Sequence, residues 1–163
     1  MTKFDNLPRS KIVRILVVED DENKRREVHE FLRSNYPADE LMFGSSLVAG
    51  LREAKRSSPD LVILDMTLPN YEARGMELDG RMHPFGGKEF LRQIARTSAS
   101  CKVIVLTQFE SFGEAPNVTR LADLDAELKS KYSKHYVGSV YYHASIDEWA
   151  KNLNSMIQGL KIQ

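Results

Sequence analysis

Apolar positions along the chain alternate between two periods. Residues 12–18, Ile-Val-Arg-Ile-Leu-Val-Val, are β-branched and almost continuously apolar, then stop at Glu19-Asp20-Asp21-Glu22. Such a run predicts a strand buried on both faces, as in a parallel sheet. From Asn23 the pattern changes to Val28, Phe31 and Leu32 among Lys24, Arg25, Arg26, Glu27 and Glu30, a helix with one apolar stripe. Leu41-Met42-Phe43 predicts a second strand, and the helix after it turns Leu47, Val48, Leu51 and Ala54 inward. Asp60-Leu61-Val62-Ile63-Leu64-Asp65 reads as a third, fully buried strand ending in a carboxylate. Gly86-Gly87 precede a helix with Phe90, Leu91, Ile94 and Ala95, and Lys102-Val103-Ile104-Val105-Leu106-Thr107 is a fourth strand. Ser139-Val140-Tyr141-Tyr142 predicts the fifth strand, and the last helix sets Ile146, Trp149, Leu153, Ile157 and Leu160 on one face. Strands alternating with helices imply βαβ crossovers and an α/β fold, a doubly wound parallel sheet covered on both sides.

Two stretches break the unit. Residues 70–85 hold Gly75, Gly80 and Pro84 with little periodicity, and connections of that length in compact domains are usually functional or mobile. Residues 108–118 form the second long loop, with Phe109 and Phe112, and Leu121, Leu124 and Leu128 after it predict an unusually long fourth helix. Residues 1–10 read as a flexible N-terminal segment of one domain spanning 1–163, the expected size for a chain of this length.

Composition narrows the function classes. The 23 basic side chains balance 23 acidic ones, which leaves no clustered positive excess for nucleic acid or an anionic membrane. Cys101 is the single cysteine, so a disulfide framework and a multi-cysteine zinc site are excluded and the cytoplasm is the expected compartment. No apolar run approaches the roughly 18 residues of a spanning helix.

In a parallel α/β sheet, ligands gather beyond the carboxyl ends of the strands. Glu19 and Asp20 follow the first strand, Asp65 the third, and Thr107 ends the fourth. Three converging carboxylates repel one another, and the usual remedy is a hard divalent cation with oxygen ligands. Magnesium fits because it takes one or two carboxylates and keeps sites for phosphate oxygens.

These segments, residues 15–22, 59–69 and 103–107, resemble the receiver domain of two-component response regulators. The resemblance implies a flavodoxin-like sheet of order 2-1-3-4-5 and a Mg2+-dependent phosphoacceptor, with Mn2+ as an alternative metal. It implies that Asp65 is the phospho-acceptor, and that Asp20 and Asp65 bind the metal directly. Glu19 would bind it through water, and the Thr67 carbonyl would complete the protein ligands. Thr107 would be the switch hydroxyl. The implied partners are a sensor histidine kinase or phosphotransfer protein and an unknown downstream protein, met through the fourth helix, fifth strand and last helix. Nothing after the last helix suggests an output domain, and a homodimer through the last two helices is left open. Such a protein catalyses its own phosphorylation and dephosphorylation and is not a turnover enzyme on a separate substrate.

The pattern departs from the family at one chemical position. The family carries a lysine followed by proline after its fifth strand, where the ammonium contacts the phosphoryl group. This chain has Tyr141-Tyr142-His143-Ala144-Ser145, with His143 nearest the lysine position. Protonated histidine can pair with phosphate, and Arg74, Arg81, His83 and Lys88 in the first long loop are further candidates for the missing cation. The family's aromatic switch position falls on Val140 or, with a slip of one, on Tyr141. The rival reading is a pseudo-receiver, a protein-interaction module that signals without phosphorylation. A haloacid-dehalogenase-type phosphatase needs a second Asp two residues after its nucleophile, where this chain has Thr67. A phosphate loop needs the spaced glycines and lysine that Gly86-Gly87 lack.

Overall fold

The computed structural model describes residues 13–71, 82–97 and 99–160. In chain order the elements are β1 (Arg14–Val18), α1 (Glu22–Asn35), β2 (Glu40–Gly44), α2 (Leu47–Ser57), β3 (Leu61–Leu64), β4 (Leu68–Pro69), β5 (Met82–His83), α3 (Gly86–Ala95), β6 (Lys102–Thr107), β7 (Ser111–Phe112), β8 (Thr119–Arg120), α4 (Leu121–Lys131), β9 (Tyr136–Tyr141) and α5 (Glu148–Gln158). Five of the strands form one parallel sheet, in the order β2-β1-β3-β6-β9. Counted over those five strands this is the order expected for the doubly wound α/β fold.

Alternation along the central strands builds two cores. Leu16, Val18, Val62, Leu64, Val103 and Val105 face one layer with residues of α2, α3 and α4. Ile15, Val17, Leu61, Ile63, Ile104 and Leu106 face the other, with residues of α1 and α5. Both faces being covered, every second residue has no polar side to turn to, which is why these strands read as unbroken apolar runs. On the α1/α5 side Trp149 packs edge-on against Phe31 at 5.7 Å and tilted against Tyr142 at 5.2 Å.

The irregular stretches correct three expectations. The long fourth helix is 11 residues, Leu121–Lys131. The chain before it instead forms a two-stranded ribbon in which Ser111 pairs with Arg120 and Phe112 with Thr119. Gly113, at φ 87°, turns that ribbon, and buried Phe112 anchors it against Phe85. The fifth sheet strand starts at Tyr136 and ends at Tyr141, so Tyr142 lies just beyond it. Ile146 leaves the apolar face of the last helix: it precedes α5, bridges to His143 and is 54% exposed. The ends of the first long loop are held by an antiparallel pairing of β4 with β5. Residues 1–10 and 72–81, for which flexibility or a loop was expected, lie outside the described residues.

Candidate functional site

Glu19 and Asp65 meet because the strands before them are in register. Val18 pairs with Leu64, the Asp65 N–H donates to the Val18 carbonyl at 3.0 Å, and the Glu19 N–H donates to the Gly44 carbonyl at 2.9 Å. The ladder therefore fixes the backbone on which both side chains stand. Glu19, Asp20 and Asp65 bring one carboxylate oxygen each to within 4.8 Å of one another. Glu19 and Asp65 are buried, while Asp20 is partly open. Asp65 Oδ1 is buried without a hydrogen-bond partner among the described residues.

A fourth charged group enters from α1. Asp21 caps this helix, accepting the Lys24 N–H at 2.9 Å, and so fixes the direction in which the first turn leaves the sheet. The Lys24 side chain then points inward and is buried. Its Nζ lies 2.6 Å from Glu19 Oε2 and 3.5 Å from Asp65 Oδ1, and donates to the Leu106 carbonyl at 2.6 Å. Tyr142, the residue after β9, lays its ring 5.7 Å from the same ammonium, and its hydroxyl donates to Glu27 Oε2 at 2.6 Å. In the sequence Lys24 stands with Arg25 and Arg26 among the polar positions of the helix. The signal that separates it is spacing: Lys24 stands four residues before Val28, on the stripe that continues to Phe31 and Leu32.

Electrostatics follow from this crowding. Burial pushes the Glu19 carboxyl up to about 8, against the pull of the Lys24 ammonium. Burial and the Asp65 charge raise Asp20. Burial also raises Asp65, opposed by Lys24 and by the backbone N–H groups of Thr67 and Met66. With all three carboxylates ionised, one ammonium leaves two formal negative charges in excess, a surplus that one divalent cation cancels. The donors are all oxygen, one of them an orphaned buried oxygen, and Asp20 opens toward solvent. This donor set fits a hard cation such as Mg2+ or Mn2+.

The other expected residues lie as follows. Thr107 ends β6, fully buried, its Oγ1 accepting the Phe109 N–H at 3.2 Å. Thr67 sits in the turn after β3, and its hydroxyl donates to the Pro84 carbonyl at 3.4 Å. That turn is tight because α3 packs directly on it. A Cβ on Gly87 would come within 2.6 Å of the Asp65 carbonyl and 2.9 Å of Met66 Cα, so only glycine lets the helix approach there. His143 lies beyond β9, exposed, with its Nδ1 accepting the Ser145 N–H at 3.2 Å. Among the described residues no hydrogen bond or ion pair joins it to the carboxylates. Lys88 pairs with Glu127 of α4 at 2.7 Å instead. Arg74, Arg81 and the His83 side chain lie outside the described residues. Val140 is buried toward α1 and α5, whereas Tyr141 is the register partner of Thr107 and 39% exposed.

The model of the response regulator receiver domain matches residues 15–128, and the chain belongs to that family. It is 40% identical over 140 residues to the uncharacterized protein y4jR of Sinorhizobium fredii, spanning 84% of this chain and 91% of that protein. It is 25% identical over 150 residues to the Detocs response regulatory protein DtcB of Enterobacter cloacae, spanning 91% of this chain and all 100% of the relative. In fold it is similar to the Mn(2+)-bound form of response regulator Rcp1, with a TM-score of 0.60 at 19% identity over 93% of this chain and 99% of that one. It is also similar to the chemotaxis response regulator CheY4 of Vibrio cholerae, with a TM-score of 0.59 at 16% identity over 90% of this chain and 99% of that one. Receiver domains are signalling modules, not turnover enzymes, and work with histidine kinases or phosphotransfer proteins. Among the described residues no helix is long and apolar enough to cross a membrane.

Proposed function

We propose that this protein is a phosphoacceptor of a two-component phosphorelay, modified on Asp65 in a reaction that depends on a divalent cation. The observation that carries this is the orphaned Oδ1 of Asp65, buried between an ammonium and two further carboxylates at a strand end. A buried carboxylate oxygen with no hydrogen bond is costly as a structural element and serviceable as a nucleophile. In the step, Oδ1 forms the new O–P bond while the P–N bond of a phosphohistidine, or the P–O bond of a small donor, breaks and its electron pair leaves with the donor group. Glu19, Asp20, Asp65 and the Thr67 carbonyl are the residues that would hold the metal. Bound Mg2+ would neutralise charge on the transferring group and help align it. The Thr107 hydroxyl is the neutral donor for the phosphoryl group once it is attached.

The cation also comes to this chain from a relative in fold, Rcp1, whose structure holds Mn(2+). The same site would return the phosphoryl group to water, so the protein catalyses both its own modification and its reversal. Output by protein contact through α4, β9 and α5 follows from an added charge of about −1.5 to −2 acting on packed elements. A second reading has one observation in its favour: His143 stands nearest the family's lysine position and is exposed, and Lys24 already occupies the pocket as a buried counter-ion to Glu19 and Asp65. The protein would then be an interaction module that needs no phosphorylation.

Intact-mass spectrometry after incubation with Mg2+ and acetyl phosphate separates the two. The expected result is a single phosphoryl adduct, lost with EDTA and absent from Asp65→Asn. An adduct retained in Asp65→Asn overturns the acceptor assignment. No adduct, joined to no Mg2+ binding by titration calorimetry, establishes the second reading.

A further inference from the structure

Lys24 has features that a structural counter-ion does not need. It is among the largest fully buried side chains, and burying an ammonium costs several kcal/mol unless its geometry is well satisfied. Here two of its three donors are met at 2.6 Å, by Glu19 Oε2 and the Leu106 carbonyl, while Asp65 Oδ1 stands off at 3.5 Å. The ammonium is thus anchored on two sides and left one loose contact, aimed at the orphaned oxygen.

The elements around it hold this pose. Leu106 immediately precedes Thr107, so the strand end that carries the Thr107 hydroxyl also fixes the ammonium, through the Leu106 carbonyl. Tyr142 closes the β9 side with its ring, and that ring is pinned by Glu27, one turn along α1 from Lys24. The first turns of α1 therefore supply both the cation and the acceptor that keeps the ring beneath it.

We infer that Lys24 is a phosphoryl-binding residue of this site: with Asp65 Oδ1 modified, the Lys24 ammonium contacts the peripheral phosphoryl oxygens, a role delivered from the start of α1 and not from the end of β9. This deepens the phosphoacceptor reading and rests on it. A phosphoryl group attached to Oδ1 carries its outer oxygens two bonds beyond that atom, within reach of an ammonium that stands 3.5 Å from Oδ1. The anion moves from the carboxylate to the phosphoryl oxygens, and the ammonium keeps an anionic partner without rearranging, which is the economy of a preorganised site.

The test is binding of beryllium trifluoride, an acyl-phosphate mimic, with Mg2+ and monitored by 19F NMR. It compares the full chain with Lys24→Met, Lys24→Gln, Asp65→Asn and the double variant Lys24→Met/Tyr142→Lys. Circular dichroism and Mg2+ binding without fluoride accompany each variant. The wild type is expected to form a Mg2+-dependent complex that Asp65→Asn abolishes. Loss of one preorganised donor is expected to weaken that complex on the order of 100-fold in Lys24→Met and Lys24→Gln, with the fold kept and Mg2+ binding without fluoride equal to or tighter than wild type, since a cation competing for Glu19 and Asp65 has been removed. A lysine restored from Tyr142 is expected to recover most of the loss, which a merely structural role for Lys24 does not predict. Lys24→Gln keeps a donor for the Leu106 carbonyl and carries the comparison if Lys24→Met is unstable. Wild-type affinity in the folded Lys24 variants overturns the assignment while leaving Asp65 as acceptor. No complex in the wild type overturns the acceptor reading itself, and this one with it.

Discussion

At the carboxyl ends of β1 and β3 the residues that follow the strands are themselves the chemistry: Glu19, Asp20 and Asp65 converge on a ladder that leaves their backbone no freedom. Along β9 and just past its end the residues are architecture. Tyr142 packs on Trp149 and hydrogen-bonds to α1, Tyr136 and Ser139 bond to Asp125 of α4, and His143 turns outward. The cation that the acidic end requires is supplied across the gap by Lys24. What such a site must preserve is a charge at a place in space, and more than one element of the fold can reach that place.

The largest effects are expected at the acidic end. Asp20→Asn removes the most open of the three carboxylates, and calorimetric titration is expected to show Mg2+ affinity falling about 10-fold or more, with the phosphoryl adduct falling in parallel. Unchanged Mg2+ affinity would place the metal elsewhere.

A smaller effect, on stability alone, belongs to the β9 side. Burial raises the Asp125 carboxyl, but hydrogen bonds from Tyr136, Lys129 and Ser139 outweigh it and leave the group below its ordinary value. A carboxyl depressed in the folded state stabilises at pH values above its unfolded value of about 3.9, and that contribution disappears as pH falls through the folded value. Asp125→Asn should therefore cost about 1 kcal/mol in urea unfolding at pH 7. The gap from wild type should close on acidification below about pH 4, while phosphorylation is untouched. The smallest expected effect is at His143: His143→Ala should leave adduct formation and beryllofluoride affinity unchanged. A large loss there would return the cation to the β9 end.

The sheet order and the acidic cluster were legible because they rest on local signals. A strand covered on both faces has to be apolar throughout, and its end is marked by the first charge, at Glu19 and again at Asp65. The ribbon in place of a longer fourth helix was not legible, since Phe112 is anchored by Phe85, 27 residues earlier in the chain. Lys24 was hidden by its own chemistry: a lysine near a helix start reads as solvated surface until the carboxylates that neutralise it are known to sit beneath it. His143 was placed nearest the lysine position by counting along the chain; in the fold it is exposed two residues past the end of β9, and Tyr142 before it turns its side chain toward α1.

Whether an Asp65 acceptor is served by a cation from α1 is decided by the crystal structure of the protein with Mg2+ and beryllium trifluoride. The account predicts beryllium on an Asp65 carboxylate oxygen, Mg2+ among Glu19, Asp20 and Asp65, one fluorine in contact with Lys24 Nζ and another with Thr107 Oγ1. A complex in which Lys24 stays on Glu19 and the Leu106 carbonyl alone, with the fluorines met by His143 or by a cation of the first long loop, would contradict it.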